Sequence, residues 1–276
     1  MEFQYLGTAA AEGIPAVFCS CERCVKSRKI GGRAVRTRTQ AIIDGTLLID
    51  FPADAYMHSL MWGIDYSTIR HCLVTHTHED HLYPKEVGMM APGFSHLPED
   101  YHMTFYGSKK VKEMLEPVVS VPKLVPITDV KCLEPFETFM VDRYTVTALP
   151  AKHDARSGPL FYQISDGEKT ILFAHDTHFF TDDIWMFWET NKPHFDMVSL
   201  DCTNAMLPLK YIGHMGLAEN IEARRKMLEM GLADEKTKFV CNHFSHNGTD
   251  VVYDDFAPIA SAAGFITSYD GMKITV

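Results

Sequence analysis

Six consecutive residues, His76-Thr77-His78-Glu79-Asp80-His81, carry three imidazoles and two carboxylates directly behind the apolar run Cys72–Thr75. A strand that ends this way must open onto a polar cleft, because unpartnered imidazoles and carboxylates are costly to bury. On an extended or turning backbone His76 and His78 project to one side and can converge on an ion. Asp80 and His81, a turn later, can reach a second ion beside it. Neutral imidazole with carboxylate suits Zn, Mn or Fe and leaves coordination positions open to water. A solvated, His-rich loop is the plain alternative, and the dense spacing behind a buried strand argues against it.

The rest of the composition narrows the class. With 276 residues and 46% hydrophobic content the chain can bury a large core. The 26 basic and 36 acidic residues give a formal net charge of −10, so no overall positive surface is on offer to a nucleic acid. The opening MEFQYLGTAA has no basic flank followed by an apolar stretch, and no apolar run approaches ~18 residues, so a cytoplasmic protein without a membrane partner is expected. Seven cysteines, an odd number, argue against a disulfide framework.

Strands are predicted at Phe3–Gly7, Ala41–Asp50 with a turn at Gly45, Cys72–Thr75, Thr104–Tyr106, Tyr144–Leu149, Leu160–Ile164, Thr170–Ala174, Met197–Asp201 and Phe239–Asn242. Helices are predicted at Lys109–Val118, Thr181–Glu189, Leu217–Met230 with an apolar stripe through Leu217, Ile221 and Leu228, and Tyr253–Ala262. Asp270-Gly271 suggests a hairpin over Phe265–Val276. Helices fall irregularly among the strands, which suits an α/β (α+β) fold of two packed sheets with helices outside, in one domain spanning 1–276. The aromatic stretch from Phe179 to His194 reads as core, with a substrate cover or dimer contact as the second reading.

HTHEDH resembles the HxHxDH signature of the metallo-β-lactamase superfamily, and the resemblance runs along nearly the whole chain. Leu47–Asp50 is similar to its first motif, His153 to the third, Asp176 to the fourth and His243 to the fifth. It implies an αββα sandwich with two mixed sheets. One divalent ion would be held by His76, His78 and His153, a second by Asp80, His81 and His243, with Asp176 bridging, and Zn or Mn as the metals. Asp50 is expected to order the histidine loop through backbone N–H groups. His58, His71, His96, His102 and His194 carry no expectation beyond packing or surface roles.

Cys19, Cys21 and Cys24 form a CxCxxC triplet in an N-terminal loop at about 8–38, and a structural zinc there needs a fourth ligand. His246, three residues beyond His243, is the best candidate. Cys72, Cys132, Cys202 and Cys241 read as core residues. With the opening LGTAAAEGIPAVFCSCERC and the late NHFSH, the triplet makes the chain most similar to the PhnP-type phosphoribosyl cyclic phosphate phosphodiesterases.

That likeness implies a small phosphorylated substrate, opened by activated water, with Asp80 and His214 in catalytic roles and His214 as general acid or oxyanion stabiliser. Position 78 is His, where the di-iron oxygen-reducing branch generally has Glu, which favours hydrolysis. Hydrolysis of a lactone, thioester or other acyl group is the alternative, as are a tRNase Z-like nuclease and a PqqB-like role; a homodimer is left open. Thr203-Asn204-Ala205-Met206 stands where PhnP-type members tend to have Ser-His, and Asn242 replaces the usual Thr. The basic cluster Arg23, Lys26, Arg28, Lys29, Arg33, Arg36 and Arg38 reads as a solvated face, with Arg36, Arg38 or Lys152 as candidate phosphate contacts.

Overall fold

Along Thr170–Ala174 the side chains of Ile171 and Phe173 enter one apolar cluster and those of Leu172 and Ala174 another, the period-two alternation of a strand with core on both faces. The computed structural model describes residues 1–208, 212–248 and 251–276 and repeats this pattern through two sheets. The strands are β1 (Glu2–Gly7), β2 (Gln40–Ile43), β3 (Leu47–Ile49), β4 (His71–Leu73), β5 (Met103–Gly107), β6 (Thr128–Cys132) and β7 (Thr138–Val141). They continue as β8 (Tyr144–Pro150), β9 (Leu160–Ser165), β10 (Thr170–Ala174), β11 (Met197–Asp201), β12 (Lys238–Asn242), β13 (Ile266–Thr267) and β14 (Lys273–Thr275). One sheet has the order β14-β1-β2-β3-β4-β5-β6 and the other β13-β12-β11-β10-β9-β8-β7.

Both sheets are mixed. β3 to β6 run parallel, as do β10 to β13, and the remaining neighbours are antiparallel. Between the sheets lie Phe3, Tyr5, Ile49 and Leu73 from one side and Val146, Tyr162, Phe173 and Val240 from the other. The helices are α1 (Glu22–Ile30), which lies in the N-terminal cysteine segment, and α2 (Ala55–Trp62), α3 (Pro84–Val87), α4 (Lys109–Val119), α5 (Asp182–Asn191), α6 (Leu217–Glu229) and α7 (Tyr253–Ala262), which cover the outer faces. Val111 and Leu115 of α4 pack under the first sheet, and Ile184, Ala223 and Phe256 of α5, α6 and α7 pack under the second. This is the αββα sandwich that the resemblance implies.

Four expectations need correction. The ending is no hairpin: β14 pairs with β1 and the short β13 with β12, so the Asp270-Gly271 turn carries the chain from one sheet to the other. The stretch from 8 to 38 is not all loop, since α1 occupies its middle. Ile221 is exposed; the buried face of α6 runs through Leu217, Asn220, Ala223 and Met227. Cys132 is exposed rather than core. The aromatic stretch is core as first read, with Trp188 fully buried and Trp185, Phe180 and Phe195 set edge-on to it at centroid distances of 5.0–5.5 Å. Among the described residues no helix is long and apolar enough to cross a membrane.

Candidate metal centre

The carboxyl ends of the parallel strands β3, β4, β10, β11 and β12 meet at one rim, the place where open α/β sheets bind ligands. Three of the segments that leave this rim turn at once through the left-handed region, with φ of 67° at Asp50, 49° at Asp176 and 63° at His243. Asp and His tolerate that region better than bulky residues do, and the sharp turn aims each side chain back across the strand ends.

The predicted ligands converge. His78 Nδ1 lies 3.0 Å from His76 Nε2 and 3.2 Å from His153 Nε2. His81 Nε2 lies 3.3 Å from Asp80 Oδ2, and His243 Nε2 lies 3.7 Å from the same oxygen. Asp176 reaches both groups: Oδ1 is 3.5 Å from His153 Nε2, while Oδ2 is 2.8 Å from His81 Nε2 and 2.9 Å from His243 Nε2. These separations are close to the ~3.4 Å between ligands of a tetrahedral ion with bonds of ~2.1 Å.

The outward nitrogens are pinned. His81 Nδ1 contacts Asp50 Oδ2 at 2.7 Å, His243 Nδ1 contacts Thr203 Oγ1 at 2.8 Å, His76 Nδ1 contacts Thr75 Oγ1 at 3.0 Å, and His153 Nδ1 contacts the Gly213 carbonyl at 3.2 Å. Such contacts fix the tautomer and leave the other nitrogen's lone pair for an ion. Asp50 also accepts from the backbone N–H of Thr75 at 2.7 Å, which is its expected ordering role. Gly213, at φ 101°, comes so close that a Cβ would lie 2.9 Å from His153 Nδ1, so this loop requires glycine.

Electrostatics test the fit. Burial disfavours a charged His81 and His243, yet Asp176 and Asp80 hold the pKa of His81 well above its ordinary value and that of His243 at about 10. The pocket therefore demands positive charge. Burial, helped by the neighbouring imidazoles, pushes His76 well below its ordinary value and His153 down, which leaves them neutral and able to ligate. His81 Nε2, Asp176 Oδ2 and His243 Nε2 are buried, crowd one another, and lack hydrogen-bond partners of acceptable geometry. A shared cation satisfies all three at once, so the residues present fit a divalent metal centre.

One participant was missed in the sequence. Asp201, fully buried at the end of β11, accepts from the backbone N–H groups of Asp176, Thr203 and Met215 at 2.9, 2.9 and 3.1 Å, and from His214 Nδ1 at 2.9 Å. It thereby sets His214 beside the cluster, and although burial opposes it, the contact raises the pKa of His214. An acid at a strand end carries no sequence signal that separates this role from a turn. His175, beside Asp176, is a core residue with Nε2 2.8 Å from Ser199 Oγ, and His58 is likewise buried between Gln40 and Thr37.

A second cluster lies on the same late segment. The ligand atoms of Cys19, Cys21, Cys24 and His246 fall within 4.8 Å of one another, with His246 Nδ1 3.4 Å from Cys19 Sγ and 3.5 Å from Cys21 Sγ. Burial pushes the Cys24 thiol up to about 11, a penalty a bound cation offsets. Arg28 holds the loop through the Cys19 and Ala16 carbonyls, and Arg23 donates to the Ser245 carbonyl at 2.6 Å. The solvated reading of the basic cluster therefore fails for Arg23 and for Arg36. Arg36 is buried against Phe244 and donates to Thr8 Oγ1 and the Ser268 carbonyl, which removes it as a phosphate contact. Lys152 is exposed beside His153.

The first cluster opens on a cavity of about 190 Å³ lined by Glu12, His78, Asp80, Thr203, His214 and Ser245 among others. A separate apolar cavity of about 260 Å³, lined by Phe51, Tyr56, Tyr66 and Met90, contains none of the clustered histidines or aspartates.

Known proteins share this architecture. A solved diphosphatase of the PhnP family superposes with a TM-score of 0.75 at 20% identity, covering 99% of this chain and 97% of its own. Zn(2+)-bound PqqB from Methylobacterium extorquens gives 0.73 at 16%, with full coverage of both chains, and the short form of human tRNase Z gives 0.69 at 15%, covering 100% and 99%. No curated protein sequence gives a significant match. The family model described as the beta-lactamase superfamily domain matches residues 48–233, the span that holds six of the seven clustered ligands, and so the chain belongs to the metallo-β-lactamase superfamily of metal-dependent hydrolases.

Proposed function

We propose that the protein is a dinuclear metal-dependent phosphodiesterase that opens a small cyclic phosphate such as 5-phosphoribosyl 1,2-cyclic phosphate. The observation that carries this reading is the placement of Asp176, whose two oxygens reach both ligand groups at the floor of an open cavity. Bound there, two divalent ions supply an activated water and neutralise the phosphoryl oxygens. His76, His78 and His153 would hold one ion, and Asp80, His81 and His243 the other. The cysteine cluster with His246 would hold a structural zinc. Likeness to a PhnP-family diphosphatase supports phosphorus over acyl chemistry, and the cavity's size and the net charge of −10 support a small substrate over a tRNA.

The remaining need is a proton for the leaving oxygen. With Nδ1 held by Asp201, His214 has Nε2 left to serve a substrate oxygen, and its ring stacks at 5.8 Å on His243. His214→Ala is expected to lower turnover about a hundredfold or more while metal content stays at the wild-type level. Undiminished turnover at full metal content would remove His214 from the mechanism.

The direct test is phosphorus NMR of the metal-reconstituted protein with a panel of small cyclic phosphates, using His78→Ala as the blank. Conversion by the wild type alone is the expected result. If no member is converted with both catalytic ions bound, the substrate class moves to acyl compounds such as lactones and thioesters.

A further inference from the structure

A second cavity, of about 360 Å³, adjoins the first and shares Ala11, His78 and Asp80 with it. Its remaining walls include Arg38, Tyr83 and Glu79. Arg38 is held rigidly: Nε donates to the Ala11 carbonyl at 2.8 Å and Nη1 to Asp54 Oδ2 at 2.9 Å, and its backbone bridges to Ala9. Among the described residues none accepts from Nη2. The Arg38 side chain is one-third exposed and lines this cavity, so its orientation is fixed while Nη2 remains available to a ligand.

We propose that Arg38, with Tyr83, forms a recognition subsite for a second anionic group of the substrate, a phosphate or carboxylate one lobe away from the reacting bond. The asymmetry of the two lobes supports this. Each wall carries a solvent-accessible glutamate, Glu12 on the first and Glu79 on the second, but among the described residues only the second adds a tethered guanidinium and a phenol, both hydrogen-bond donors, and the first is lined by no Arg or Lys. Asp54 offsets part of the charge on Arg38, but its role as a tether keeps the fork from collapsing onto the surface. Glu79 on the same wall is exposed and therefore screened by solvent.

This rests on the phosphodiesterase reading for the choice of substrates, so a binding measurement accompanies the kinetics. The wild type is expected to bind ribose 1,5-bisphosphate ten- to a hundredfold more tightly than ribose 1-phosphate by calorimetry, and to show a matching preference in kcat/KM for 5-phosphoribosyl 1,2-cyclic phosphate over ribose 1,2-cyclic phosphate. Arg38→Gln should bring both ratios close to one. Arg38→Lys should retain part of the preference, because it keeps the charge and loses the fork. Tyr83→Phe, which leaves the Arg38 tethers in place, should reduce the ratios on its own and guards against misfolding of the arginine variants.

A wild type without preference, or one whose preference survives Arg38→Gln, overturns the subsite even if cyclic phosphates are hydrolysed. A binding preference that Arg38→Gln abolishes, in a protein that hydrolyses no phosphodiester, upholds the subsite and overturns the reaction class.

Discussion

Replacing Asp176 by alanine is expected to release at least one ion from the proposed two-ion centre and to lower turnover by about a thousandfold or more. Among the described residues, the carboxylate is the one side chain whose oxygens face both ligand groups, at 3.5 Å from His153 and at 2.8 and 2.9 Å from His81 and His243. Charge stabilisation by the ions is worth several kcal/mol, and each 1.36 kcal/mol is tenfold in rate. The fold should survive, because the sheets pack through Phe173, Tyr162 and Val146 and not through the ligands. Metal content by mass spectrometry, circular dichroism and turnover on the same preparation check the three parts separately. Full loading with two ions in a folded Asp176→Ala protein would refute the bridging role.

Cys21→Ser should act on stability. It removes one of four convergent ligand atoms and should cost one equivalent of zinc, several kcal/mol of stability and about 10 °C or more of melting temperature. The proposed catalytic ions should stay bound at first, since Cys21 lies in the other ligand cluster. Cys132→Ser is the control: that cysteine is exposed and outside the cluster, and it should change neither zinc content nor melting temperature. Equal melting curves for Cys21→Ser and wild type would show that the thiolates bind nothing structural.

What could be read from sequence followed the range of the physical signal. Strand β10 and the histidine loop were legible because alternation and ligand spacing are local: Ile171 and Phe173 point one way, and His76 and His78 gather within six residues. The Asp270-Gly271 turn misled for the same reason. Its chemistry is local, but the partners of β13 and β14 are set by distant strands β12 and β1. Helix α1 escaped notice because its sequence, ERCVKSRKI, is polar on nearly every side, and it is held by Arg23 and Cys24 and not by an apolar stripe. Asp201 shows no signal in the sequence and Arg36 shows a misleading one, because their roles depend on what the fold brings to them: three backbone donors and an imidazole for one, an aromatic ring and a buried carbonyl for the other.

The left-handed turns at Asp50, Asp176 and His243 bear on how the protein can be engineered. At each of them glycine relieves a backbone conformation that an L-residue holds at a cost of about 1 kcal/mol or more, while it deletes the functional side chain. At Asp50 that relief is set against the loss of the buried acceptor for Thr75 N–H and His81, and at Asp176 and His243 against the loss of ligand atoms for an ion whose binding would stabilise the fold, so glycine is no stabilising exchange at these sites. Libraries aimed at a sturdier protein should hold them fixed and seek their gains in the helices that cover the outer faces.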